Sequence, residues 1–105
     1  MLNTQFKKGV LELCVLALLS KRDCYGYEIV QEISETIDIS EGTIYPLLRR
    51  LKENQYVTTY LEESSDGAPR KYYKITELGL SDFTQQKGEW NDFAKNVDKL
   101  LKQKK

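Results

Sequence analysis

Residues 40–51 carry the sequence SEGTIYPLLRRL, which decides the fold prediction. Apolar side chains recur there at spacings of three and four, as in one buried helical face: Ile44, Leu47, Leu48 and Leu51. Gly42 and Pro46 oppose this pattern, because inside a helix glycine costs about 1 kcal/mol relative to alanine and proline about 3 kcal/mol. The stretch therefore predicts a helix whose first half is irregular or whose backbone groups are open to a partner.

Two starting points for this helix fit the sequence. Ser40 is a good N-cap, and Ile39 with Ile44 has the spacing of a hydrophobic staple, which puts Pro46 in the second turn. Alternatively Thr43 is the N-cap and Pro46 lies in the first turn, where its missing N–H is harmless.

The remaining pattern predicts two helices before this one, then a hairpin and a long final helix. The hairpin follows from two alternating, β-branched and aromatic stretches, YVTTYLEE and RKYYKIT. They are separated by a loop of about six residues, SSDGAP, which Pro69 keeps out of any ladder. Thr76 caps the last helix. The expected bounds are 7–20, about 25–37 and from 40 for the first three helices, and 77 to about 103 for the last.

This order predicts a mostly α fold with a small β-hairpin, the winged helix-turn-helix. Residues 1–76 would form the DNA-binding domain and residues 77–105 a C-terminal dimerisation helix. The helix overhangs the body, and its apolar positions follow heptad-like spacing, so a second copy of the chain is the expected cover. The predicted interface residues are Phe83, Trp90, Phe93, Val97, Leu100 and Leu101.

Trp90 is the only tryptophan and lies on this stripe, two residues after Gly88. Two such indoles facing a space between the chains would sandwich a planar aromatic effector. The alternative is that Trp90 simply fills the interface, as large aromatic side chains generally do.

Composition limits the function classes. The chain has 105 residues, a formal net charge of zero and no histidine, so one domain is expected and the commonest general base and metal ligand is missing. Its two cysteines cannot complete a zinc site without carboxylate help, and no glycine-rich phosphate loop occurs. The sequence predicts a protein that is not an enzyme and holds neither a metal nor a cofactor.

No apolar run approaches the ~18 residues that a membrane span needs. The first 20 residues slightly resemble a signal peptide but lack a small-residue cleavage site and show helical periodicity. We expect a core helix here, in a cytoplasmic protein without membrane contact.

Charge is unevenly distributed along the chain. Six acidic residues and no basic one lie between positions 23 and 48, and basic residues then follow on the third helix and the second strand: Arg49, Arg50, Lys52, Arg70, Lys71 and Lys74. A basic helix beside a basic wing suits a phosphate backbone, although the same cations could simply be a solvated face.

Three motifs in order resemble the PadR family of transcriptional regulators. They are YGYEI at 25–29, GTIYPLL at 42–48 and RKYY at 70–73, and the resemblance covers roughly residues 7–101. It implies a winged helix-turn-helix repressor that dimerises through its C-terminal helix and binds a palindromic operator in double-stranded DNA. Some members of the family are released from DNA by phenolic acids or planar drugs.

The resemblance also implies site residues, position by position. The DNA-binding set is Ser40, Thr43, Tyr45, Pro46, Arg49, Arg70 and Lys71, and the effector-binding residue is Trp90. Tyr45 has a second interpretation, packing against the first helix. Tyr25 and Tyr27 are expected to pack rather than to contact DNA.

Cys14 is expected to be a buried small hydrophobe, and Cys24, at a helix start, is a candidate for a stabilised thiolate. Two other functions stay open: a winged-helix protein-interaction module without DNA affinity, and a dimer that only carries a small molecule.

Overall fold

The protein is described by a computed structural model for residues 4–103, with side chains described from Gly9 onward. Four helices surround a small antiparallel sheet, so the predicted mostly α, winged helix-turn-helix fold is confirmed. The elements are α1 Thr4–Leu19, β1 Cys24–Tyr25, α2 Gly26–Ser34, α3 Glu41–Glu53, β2 Val57–Ser64, β3 Gly67–Ile75 and α4 Glu77–Leu101.

The helix bounds differ from the predicted ones in places. Helix α2 begins at Gly26 and ends at Ser34, three residues before the predicted end, and α4 ends at Leu101 rather than near Gln103. None of the helices described between residues 4 and 103 combines the length and apolarity that crossing a bilayer requires.

The sheet has three strands in the order β1-β3-β2, one more than the predicted hairpin. Strand β1 has only two residues, too few to show a period of two in the sequence. It pairs Cys24 with Tyr73 and Tyr25 with Tyr72. This pairing ties the start of α2 to the wing.

The hairpin loop is shorter than the six residues predicted. Ser64 pairs with Gly67, so only residues 65 and 66 form the turn, and Gly67 has a φ of 125° that favours glycine. The expectation that Pro69 keeps this loop out of the ladder is wrong, because Ser64 and Gly67 of the loop pair with each other. Pro69 lies in β3, where the register shifts by one residue between Glu62 and Ser64, and a bulge at this point leaves a proline unpaired without loss.

The core lies between α1, α2, α3 and the inner face of the sheet. Its fully buried members come from every layer: Leu11, Val15, Leu16, Leu19, Cys24, Ile29, Ile44, Leu47, Leu48, Leu51 and Val57. Cys14 lies at the edge of this cluster and is half-buried, less than the sequence suggested.

Helix α3 begins after Ser40, as the first of the two alternatives predicted. The N–H of Ile44 donates to the Ser40 carbonyl at 3.3 Å, and the start at Thr43 is wrong because Thr43 is already helical. Pro46 therefore lies in the second turn. Its missing N–H leaves the carbonyl of Gly42 without an intrahelical partner.

The end of α3 is joined to the start of α4. Gln55 has a left-handed φ of 65°, and the N–H of Tyr56 donates to the Leu51 carbonyl at 2.9 Å in a Schellman arrangement. The Thr76 hydroxyl donates to the Gln55 carbonyl at 2.7 Å and accepts from the Gly79 N–H at 2.9 Å, which confirms the predicted cap. A Cβ on Gly79 would lie 2.1 Å from the Tyr56 carbonyl oxygen, so glycine is required for this close approach.

Candidate nucleic-acid interface

Helix α3 buries one side in the core and leaves the opposite side open to solvent. The residues predicted from this helix to contact DNA are all exposed: Ser40, Thr43, Tyr45, Pro46 and Arg49. They lie together along the first two and a half turns. The structure therefore groups five of the seven predicted DNA-binding residues on one accessible surface.

The backbone at the start of α3 is also accessible. A Cβ on Gly42 would meet only the Ser40 Oγ, at 3.7 Å, which is an ordinary contact. The fold of this chain therefore does not require glycine at position 42. A helix N-terminus with open N–H groups is a ready place for base edges or phosphates to approach.

Tyr45 packs across the start of α2. Its second interpretation, packing against the first helix, is therefore wrong. A Cβ on Gly26 would lie 2.9 Å from the Tyr45 Cε1 and 3.2 Å from the Tyr45 hydroxyl. Gly26 is buried, and Tyr45 keeps 38% of its surface exposed. The tyrosine therefore joins the starts of α2 and α3 while still facing solvent.

The two arginines of α3 have different environments. Arg50 donates to the Glu12 carboxylate from Nε at 3.1 Å and from Nη2 at 2.8 Å, which ties α3 to α1. Arg49 has no ion-pair partner among residues 9–103 and is exposed. Only Arg49 is placed to extend the exposed surface of α3.

Arg70 and Lys71 start from opposite faces of the wing, and both reach one pocket beside the start of α2. Alternate residues of a strand lie on opposite faces of its sheet, and Tyr73, on the same face as Lys71, is buried against the core. Lys71 therefore points to the α3 side of the wing. Arg70 lies on the outer face, with its guanidinium 4.6 Å from the centre of the Tyr25 ring and 3.3 Å from the Asp66 carboxylate.

The outer face of the sheet carries a row of aromatic rings. Tyr72 stacks on Tyr60 and meets Tyr25 at a tilt, both with ring centres 5.6 Å apart. The Tyr60 hydroxyl donates to the Asp23 carboxylate at 2.6 Å, which raises the pKa of Tyr60 to about 12. This row connects all three strands and confirms packing for Tyr25, whereas Tyr27 is half exposed.

The acidic residues of α2 are partly neutralised within the fold. Arg22 donates to the Glu28 carboxylate at 2.7 Å and to the Glu32 carboxylate at 3.0 Å. Cys24 lies beside this cluster, and burial raises the pKa of its thiol to about 11. The prediction of a stabilised thiolate at Cys24 is therefore wrong: Arg22 Nη1 donates to Sγ at 3.2 Å and lowers the pKa, but burial outweighs it and the thiol stays protonated at neutral pH.

The predicted dimer residues lie on α4, away from this surface. Phe83 packs against the chain's own core, and Val97 is half-buried. The others are exposed: Trp90 by 37%, Phe93 by 57%, Leu100 by 72% and Leu101 by 77%. Apart from Val97, exposure of the apolar stripe thus increases toward the C-terminal end of the helix.

Sequence reasoning missed Tyr73. Burial raises its pKa, the Tyr45 phenol adds to this and Arg49 opposes it, so these three side chains lie near one another. The alternation of residues 70–75 could have predicted this position. If Ile75 faces the core, Lys71 and Tyr73 lie on the same, core-facing side of the strand.

Comparisons with known proteins agree with this geometry. The model of the transcriptional regulator PadR-like family matches residues 15–85. A PadR-like transcriptional regulator from Bacillus cereus is 38% identical, with a TM-score of 0.87 over 96% of this chain and 100% of that one. A transcriptional regulator from Clostridium thermocellum is 32% identical, with a TM-score of 0.84 over 97% and 100%. Transcriptional regulator Rv3488 of Mycobacterium tuberculosis is 26% identical over 89% of this chain and 87% of its own.

The open space at Gly42 gives a first prediction. Gly42→Ala should raise the free energy of unfolding by about 0.5–1 kcal/mol, because alanine restricts the unfolded chain and meets no clash. The same change should weaken binding to a DNA fragment from the gene's own promoter, if the backbone there approaches DNA closely. Thermal unfolding and a gel shift measure the two effects.

Gly88→Ala is the matched control, since a Cβ at Gly88 meets nothing within 4 Å and Gly88 lies on α4. It should give the same gain in stability and unchanged DNA binding. Equal DNA binding by both variants would contradict a close approach at Gly42.

Proposed function

The chain belongs to the PadR-like family of transcriptional regulators, and on this premise we propose that it is a sequence-specific DNA-binding repressor acting in the cytoplasm as a homodimer on a palindromic operator. The observation that supports this best is the accessible surface formed by the start of α3, Arg49 and Lys71. Helix α3 would lie in the major groove, with Thr43 at base edges and Tyr45 beside it on the same surface.

Affinity and specificity would come from different parts of this surface. Arg49 and Lys71 would bind backbone phosphates, because neither has an ion-pair partner among residues 9–103 and their charges are available. Arg70 would contribute less, because Asp66 and the Tyr25 ring already engage its guanidinium. Ser40 and Pro46 would border the contact at the tip of α3.

Dimerisation through α4 is the second part of the proposal. The helix has 25 residues, about 37 Å at 1.5 Å per residue, and the whole chain measures 61 × 29 × 21 Å. Among residues 9–103, no segment packs over Phe93, Leu100 and Leu101 closely enough to bury them. A second copy would bury them and set two α3 helices about one DNA turn apart, or a multiple of it.

A planar aromatic effector is the third part. Trp90 and Phe93 line a groove of about 390 Å³ together with Gly9, Val10 and Leu13 of α1. A ligand there could change DNA affinity only by favouring one separation of the two α3 helices. A groove that two helices share suits such an effect, because a ligand between them would bias their relative position.

The DNA prediction uses charge as its readout. Lys71→Ala should weaken binding to all sequences and lower the slope of log affinity against log salt by about one. Thr43→Ala should instead change the preference among operator variants. Gel shifts with the gene's own promoter across salt concentrations measure both.

Lys74→Ala removes the same charge from the opposite face of β3 and serves as the control. It should leave the salt slope nearly unchanged. A parent protein without sequence preference or salt dependence would favour the protein-interaction module instead.

The dimer prediction concerns Phe93. Phe93→Glu should convert a dimer into a monomer at micromolar concentration, because it places a charge in an apolar interface. Asn91→Glu, on a different side of α4 by heptad position, should stay dimeric. Sedimentation velocity distinguishes them, and a stable monomeric parent would refute the proposal.

The effector prediction concerns Trp90. Titration with planar aromatic compounds should quench its fluorescence saturably and reduce operator affinity in parallel. Trp90→Leu should remain dimeric and lose the response of DNA binding to these compounds. A Trp90→Leu protein that still responds as the parent does would exclude the effector role.

A further inference from the structure

A pocket of about 390 Å³ opens where the start of α2, helix α3 and strand β3 meet. Its lining includes Gly26, the phenols Tyr45 and Tyr73, and the two cations Arg70 and Lys71. We call it the tyrosine pocket. It lies beside the exposed start of α3, on the α3 side of the wing.

Tyr73 is the feature that packing alone does not explain. The residue is 8% exposed, and its hydroxyl has no hydrogen-bond partner among the described residues. No described side-chain oxygen is both sealed from solvent and unpartnered. The Tyr73 hydroxyl is therefore not sealed from solvent, and because the residue lines the tyrosine pocket, a group from outside the chain can reach it there.

The other groups around the pocket are also donors. The Tyr45 hydroxyl lies at the first turn of α2, 3.2 Å from where a Cβ of Gly26 would stand. The first N–H groups of a helix have no intrahelical acceptor and carry its positive end. Lys71 lines the same pocket, and Arg49 is close enough to affect Tyr73.

Of the acidic groups nearby, Glu28 is already engaged, and Glu41 is exposed to solvent on α3. The Glu28 carboxylate is held by Arg22 at 2.7 Å and by the Tyr25 N–H at 3.3 Å. Burial, with Glu41 adding, raises the pKa of Tyr45, and burial raises that of Tyr73. Both phenols are therefore protonated at neutral pH and able to donate.

We infer that the tyrosine pocket binds one phosphate group of the DNA backbone, through the O–H groups of Tyr45 and Tyr73, the Lys71 ammonium and the N-terminus of α2. Converging donors suit an anionic oxygen. The inference deepens the proposed function and rests on it, because it assigns a phosphate site to the same surface. It gives Tyr73, on the wing, a part in holding α3 at the correct depth in the groove.

The test compares Tyr73→Phe with Tyr72→Phe in gel shifts on the promoter fragment. Tyr73→Phe keeps the buried ring and removes only the hydroxyl, so the protein should fold as the parent does. We expect about a tenfold loss of affinity, in the range for a hydrogen bond to a charged group. The salt slope should stay unchanged, because no charge is removed.

Tyr72 lies one residue away on the outer face of β3, within the aromatic row, and Tyr72→Phe should bind DNA as the parent does. Replacing single phosphates by neutral methylphosphonates should reveal one position per half-site that weakens the parent about tenfold. At that position the substitution should cost the Tyr73→Phe variant little more, because the contact is already lost.

The outcomes separate the site from the function. If the parent binds operator DNA and Tyr73→Phe binds equally well, the phosphate site is refuted and the repressor proposal stands. The same holds if Tyr72→Phe loses as much affinity as Tyr73→Phe. A parent that binds no DNA refutes both. Titration of the free protein with inorganic phosphate, monitored by the tyrosine ring resonances, tests whether the pocket binds a free anion instead. Saturable binding of phosphate, with no effect of Tyr73→Phe on DNA affinity, would show a site for a free anion and overturn the inference.

Discussion

The burial of one stripe of α3 is the constraint on which the rest of the structure depends. Its four aliphatic side chains are at most 1% exposed: Ile44, Leu47, Leu48 and Leu51. Burying them contributes about 6–12 kcal/mol in total, which outweighs the roughly 4 kcal/mol that an interior glycine and proline cost. The helix can therefore keep Gly42 and Pro46 at its start. Because the stripe fixes the rotation of α3, it also fixes which side chains face outward.

The start of α4 connects this helix to the C-terminal part of the chain. Thr76 bonds both to the Gln55 carbonyl just after α3 and to the Gly79 N–H within α4. Gly79 lets the helix approach the Tyr56 backbone closely. A dimer built on α4 would therefore transmit its geometry to α3 through a short, hydrogen-bonded junction. This connection gives a ligand near Trp90 a physical route to the proposed DNA-binding surface.

A neutral chain can still present a basic surface if its ion pairs are placed elsewhere. Arg22 takes up two carboxylates of α2, and Arg50 is bound to Glu12 on α1. These pairs are partly exposed and contribute little to stability. Their main effect is on the distribution of charge, because they leave the charges of Arg49 and Lys71 unpaired beside the start of α3. Since these charges are few, uncharged hydrogen-bond donors would contribute more to DNA binding there.

The sequence by itself determined the order of the four helices and the hairpin, the winged helix-turn-helix fold and the exposed start of α3. Those follow from periodicity, capping residues and the cost of Gly42 and Pro46, all of which act within a few neighbouring residues. Only the tertiary structure decided the third strand, because two residues of β1 carry no periodic signal and are defined by pairing with Tyr72 and Tyr73. It also decided the partners of the cations, since the bond between Arg50 and Glu12 joins residues 38 positions apart. The tyrosine pocket belongs to the same class: its groups come from α2, α3 and β3, and no local pattern brings such distant residues together.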